Sequence, residues 1–96
     1  MTYRDETARL HAIARAQGFR LVVTHHAEEQ MADRDVTRFE IERVLQAGAV
    51  VMIETDPRGR ERWRVAGHDT DGRRIEPVVE VKPPSMAILV TVIRVD

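Results

Sequence analysis

The stretch TRFEIERVLQAGAVVMIET, Thr37 to Thr55, changes its hydrophobic period midway, and the fold class follows from that change. In its first half Thr37 and Glu40 have the spacing of a capping box, in which hydroxyl and carboxylate each accept the other residue's backbone N–H. Val36 and Ile41 stand at the two positions of a hydrophobic staple. Phe39 or Ile41, with Val44 and Leu45, would form the apolar face of the helix. Gly48 would close it. From Ala49 onward the period is 2, which predicts a strand over Ala49–Thr55.

Downstream the strand period continues. Asp56-Pro57-Arg58-Gly59 has the residue types of a type I turn. Arg60–Gly67 is the next expected strand, Asp71-Gly72 marks a second turn, and Arg74–Val81 follows. Lys82 to Ser85 breaks the pattern, and Met86–Val95 is an almost wholly apolar last strand, placed in the sheet interior. Pro77 argues for an edge or a bulge, because proline cannot donate to a ladder.

Upstream, Tyr3 to Gln17 reads as an amphipathic helix with Thr2 as its cap and Gly18 just past its end. Arg20–Val23 is a brief strand or an extended link. Thr24 would cap a second helix, His25 to about Asp33. The order predicts an α+β domain: two or three N-terminal helices packed on a four-stranded antiparallel meander. At 96 residues the chain has room for one domain, 1–96, with 1–19 a helical extension and 20–95 the core.

Composition narrows the function classes. The chain has 43% hydrophobic and 32% charged residues and no long apolar run, so neither disorder nor a membrane span is expected. No secretory signal is legible and cysteine is absent, which points to the cytoplasm and removes disulfides, thiolate metal sites and cysteine nucleophiles. The formal net charge is -1, not the footprint of a non-specific nucleic-acid binder. Yet 14 of the 15 basic residues are arginine, the better fork for phosphate and carboxylate. Codon bias in a GC-rich genome is the plainer reading of that excess.

Two stretches resemble a known family. One is Thr24-His25-His26-Ala27 with Met31, Arg34 and Val36 ahead of the capped helix; the other runs from Val65 through Gly67, His68 and Asp71-Gly72-Arg73 to Val78-Val79 and Ile88 to Val92. Together, over about residues 21–94, they resemble the small bacterial family called domain of unknown function 4258. That family is similar to the RelE/ParE-type toxins and other small metal-independent endoribonucleases, with helices on a four-stranded antiparallel sheet. The resemblance implies RNA as substrate or ligand, an antitoxin or other protein as partner, and no cofactor or metal. Some members carry a histidine near the position of Glu76, where this chain has an acid.

Cleaving RNA without a metal needs a proton acceptor for the 2′-OH and cations for the phosphorane charge. His26 is the expected acid or base and Arg34 a phosphate fork; on one helix they lie ~12 Å apart along the axis. Both also fit plain roles, His26 at a helix start and Arg34 on carbonyls at its end. Arg60, Arg62 and Arg64 alternate with Trp63 and Val65, so the arginines share one sheet face. Arg62 and Arg64 are the candidates there for phosphate. Glu76 and Glu80 on the next strand could pair with them instead. Trp63 is either a stacking platform or core. Tested as a calcium loop, residues 67–78 lack ligands at both ends, so Asp71-Gly72 is turn chemistry. The expected function is a toxin-like endoribonuclease or degenerate relative. The rival is a non-catalytic domain that binds a partner through its sheet edge or first helix.

Overall fold

The computed structural model describes residues 2–95. It contains α1 (Arg4–Ala14), β1 (Arg20–Val23), α2 (His25–Arg34), α3 (Arg38–Ala47), β2 (Ala49–Thr55), β3 (Glu61–His68), β4 (Arg74–Lys82) and β5 (Met86–Val95). The local signals around Thr37 act as their spacing predicts. Thr37 Oγ1 accepts from the Glu40 N–H at 3.1 Å, and Glu40 Oε1 accepts from the Thr37 N–H at 2.9 Å. Val36 and Ile41 are both buried beneath this cap. Thr24 caps α2 through the Ala27 N–H and also donates its hydroxyl to the Leu89 carbonyl at 2.9 Å, which ties the helix start to β5.

The sheet has five strands in the order β1-β5-β4-β3-β2. β2 to β5 form the expected antiparallel meander, but the four-stranded expectation is short by one strand. Arg20–Val23 pairs parallel with Met86–Leu89. A parallel neighbour needs a long crossover, and here α2, α3 and three strands intervene, so nothing local announces the pairing. β5 consequently lies in the interior, as its apolar character requires. Beyond the end of β1, α2 takes over the edge of β5: Gln30 Oε1 accepts from the Val92 N–H at 2.8 Å and from the Thr91 hydroxyl.

α1 is shorter than Tyr3 to Gln17 and lacks the Thr2 cap; Tyr3 is its N-cap residue and makes no side-chain cap bond. It stops at Ala14 because the chain must turn, at Gly18 (φ 81°), into β1. Its last turn grips the end of α3: His11 Nε2 donates to the Gly48 carbonyl at 2.6 Å and Arg15 Nε to the Gln46 carbonyl at 2.9 Å. Leu10, Ile13 and Ala14 enter the core with Leu21, Ile41, Leu45, Trp63, Val65, Val79 and Leu89.

Pro77 is fully buried in β4, an interior strand rather than an edge. The β3–β4 pairing breaks between Arg64–Val78 and Gly67–Ile75, the stretch that holds the proline, and the β4–β5 register shifts beside it. The missing N–H thus falls in a gap in the ladder. Of the two alternatives for the apolar face of α3 the structure takes Ile41: Phe39 is 61% exposed, and Ile41, Val44 and Leu45 are buried.

Both hairpin turns use one device, Asp-x-x-Gly-Arg. In Asp56–Arg60 the glycine N–H returns to the aspartate carbonyl at 2.9 Å, and in Asp69–Arg73 at 3.1 Å. In each, aspartate Oδ1 accepts two backbone N–H groups and Oδ2 holds the Nε of the closing arginine. Gly59 (φ 80°) and Gly72 (φ 81°) supply the left-handed residue each turn needs.

Candidate functional site

Strand alternation separates two faces. Trp63, Val65, Ile75 and Val79 are buried in the common core with α1 and α3, so Arg62, Arg64, Glu76 and Glu80 project from the opposite face. Trp63 is core: its Nε1 donates to Glu61 at 3.1 Å and the Arg9 guanidinium lies 5.4 Å over its ring. No face is left for a base to stack on.

On the opposite face every arginine–carboxylate pair has the same polarity. Arg60 Nε binds Asp56 at 2.7 Å, Arg74 Nε binds Glu76 at 2.6 Å, and Arg64 Nε binds the other oxygen of Glu76. The acids are inside and the cations outside: the Asp56 and Glu76 side chains are 10% and 6% exposed, those of Arg60 and Arg74 48% and 47%. Each bond uses Nε, and among the described residues no hydrogen bond runs from the terminal amino groups of these three arginines. A guanidinium held at Nε keeps both Nη groups for a bidentate anion contact. Burial alone would raise the Glu76 carboxyl; the hydrogen bonds from Arg74 and Arg64 outweigh it and hold it below the usual glutamate value. The acid at position 76 is therefore a positioning group for two arginines.

A cleft of about 670 Å³ opens between α3 and the end of β3, with Arg43, Ala47, Ala66, His68 and Arg74 among its lining residues. Two glycines let the helix sit close there. A Cβ on Gly67 would come 2.8 Å from Val44 Cγ2, and one on Gly48 would come 2.5 Å from the Ala66 carbonyl oxygen. Glu40 builds the far wall. Its Oε2 accepts the Thr70 N–H at 2.7 Å and the Thr70 hydroxyl at 3.0 Å, and these bonds, with those from Thr37, pull its carboxyl below the usual value. Arg43 has no carboxylate partner among the described residues and lies 5.7 Å over the ring of Phe39. His68 is exposed and makes no side-chain hydrogen bond among the described residues. Beside it, Asp69 is consumed by its turn and by Arg73 and Arg94.

The residues expected from sequence are scattered. His26 is exposed on α2, next to the His25–Glu29 pair, and Arg34 is half-buried in the last turn of the same helix. α2 lies against β5, and β3 is two strands further on, ~10 Å across the sheet. Arg62 and Arg64 share the helix-free face, Arg64 bound to Glu76, and Arg62 opposite Glu54 with a buried Nε that has no partner among the described residues. The structure does not bring His26 and Arg34 together with Arg62 and Arg64. Sequence reasoning passed over Arg43, which looks like any polar helix position. His68 stands in the family-like stretch and in a failed metal test without a role in catalysis, and Arg74 only opens a strand. No local pattern distinguishes them.

Fold and site define a small α+β domain: helices on one face of a mixed five-stranded sheet, oriented arginines on the other. The chain belongs to the family described as domain of unknown function (DUF4258), whose family model matches residues 23–94. No curated protein and no solved structure matches it. No helix among the described residues is long and apolar enough to cross a membrane.

Proposed function

We propose that this domain binds RNA along its phosphate backbone and cleaves it without a metal, in the manner of the RelE/ParE-type toxins it resembles. The observation that carries the reading is the shared polarity of the arginine pairs. A net charge of -1 hides it, because Asp56 and Glu76 are turned inward under arginines whose Nη groups make no hydrogen bond among the described residues. Phosphates meet guanidinium, not carboxylate. Arg60, Arg64 and Arg74 are the backbone contacts in this reading. Proton transfer falls to His68, the histidine set in one cleft with two arginines, in preference to His26 on α2. The test is binding and cleavage of a random-sequence single-stranded RNA pool in EDTA: salt-dependent affinity and cut products support the reading, and no affinity at low salt removes it.

A second reading has one observation behind it. β2 is a sheet edge that exposes Val51 and Met52, beside a groove of about 430 Å³ lined by Tyr3, Arg4 and Thr7. A protein partner could add a strand there. Thr7 Oγ1 already accepts the Val50 N–H at 3.0 Å and a register shift follows Val50, and both features blunt the edge.

A further inference from the structure

Phe39 has no structural duty. It is the most exposed large apolar side chain among the described residues, it lies outside the core, and the staple of α3 is made by Val36 and Ile41 instead. Its ring nevertheless sits 5.7 Å from a guanidinium, that of Arg43, and Arg43 lines the cleft that also holds Arg74 and His68. An exposed aromatic ring beside an unpaired arginine is the combination on which unstacked bases rest, because both present a flat face that any base can cover. The cleft beyond is bounded by small residues, Ala47, Ala49 and Ala66, and no side chain fills it. Its volume of about 670 Å³ is within the range of sites that enclose one small ligand, and a duplex cannot enter it. Charge points the same way. Arg43 and Arg74 both line the cleft, and Glu40 and Asp69 have given their oxygens to Thr70, Thr37 and the turn.

We infer that the Phe39–Arg43 platform and the cleft behind it seat one unpaired nucleotide, the base stacked on Phe39 and Arg43 and its phosphate held by Arg43 and Arg74. This rests on the RNA reading above and adds to it a substrate class: RNA whose bases are free to leave the stack, not paired RNA. The arginine face reads backbone, which both forms present; the platform reads a base face, which only the single strand offers.

The experiment compares the affinity of the full chain for a random-sequence single-stranded RNA and for a perfectly paired RNA duplex, with thermal melting of each variant alongside. Phe39→Ala should weaken the single strand about tenfold to hundredfold, the measured worth of one base–aromatic stack, and leave the duplex unchanged. Phe39→Trp should restore it. Ala47→Trp, at an exposed position that fills the cleft, should weaken the single strand in the same selective way. Equal affinity of the wild type for both RNAs overturns the inference, as does unchanged single-strand affinity in Phe39→Ala and Ala47→Trp; either outcome leaves the backbone-binding reading standing. No affinity of the wild type for either RNA overturns that reading, and this inference with it.

Discussion

The buried carboxylate of Glu40 accepts both hydrogens that Thr70 can offer, the backbone N–H at 2.7 Å and the hydroxyl at 3.0 Å. Its other oxygen closes the cap of α3 on the Thr37 N–H at 2.9 Å. One side chain thus fixes a helix start and the hairpin that walls the cleft.

That double role has an acid signature. The Glu40 carboxyl lies below its ordinary value of 4.5, chiefly because of the Thr70 and Thr37 backbone bonds. A folded-state value below the unfolded one means the unfolded chain takes up the proton first as pH falls. The stability from Glu40 is therefore present above pH 4.5 and lost as pH drops through its lowered folded value. Asp56, Asp69 and Glu76 are lowered too and act in the same direction. Urea midpoints followed from neutral pH into the acid range should fall, and Glu40→Gln should remove part of the slope. An identical pH profile for the variant would show that the latch does not hold. Thr37→Ala, which removes only the cap, should cost about 1 kcal/mol at neutral pH.

Salt should report the arginine face. Affinity for RNA is expected to decline steeply as ionic strength rises, and Arg60→Ala or Arg74→Ala should each flatten the log–log slope by about one unit. Arg64→Ala should do the same, and all three changes should also lower stability, because each strips a partner from a buried carboxylate. Slopes that stay at the wild-type value would return these arginines to a purely structural role.

Cleavage should depend on His68. A general acid or base contributes typically 10²–10⁴-fold, so His68→Ala should lose about that much activity in EDTA while RNA affinity and melting temperature hold. Free imidazole should restore part of the rate, which a structural role would not allow. His26→Ala is the direct comparison; a loss there with none at His68 would move the chemistry to α2.

Packing under the cleft is equally open to test. Gly67→Ala places a methyl 2.8 Å from Val44 Cγ2, and overpacking of that kind costs about 1–3 kcal/mol. Pairing it with Val44→Ala should recover part of the loss, as expected of residues in contact. Additive losses in the double variant would place the strain elsewhere.

What could be read in the chain without its fold lies within one turn or one hairpin. Thr37, Glu40, Val36 and Ile41 specify α3 because a cap and a staple are completed by residues three to five apart. Thr24 starts α2 at the expected residue, and β2 and β5 have the bounds that period 2 and the turn residues predict. The arginine row on β3 was legible too, since alternation alone puts Arg62 and Arg64 on one face. Tertiary structure decided the rest. β1 became a strand through a partner 66 residues away in sequence, Met86 for Arg20, and no local pattern encodes a parallel neighbour. Phe39 was read as a possible core residue because a helix offers two adjacent stripes, and only docking on β3 chose the one with Ile41, Val44 and Leu45. The charge count showed acids and bases in balance but could not show which faced water. Asp56, Asp69 and Glu76 went inside because turn amides and arginine Nε groups solvate a carboxylate there, while the long arginine stems reach back to solvent. His68, Arg43 and Arg74 share a cleft for the same reason: α3 packs tightly against Gly67 and brings together positions 25 to 31 residues apart.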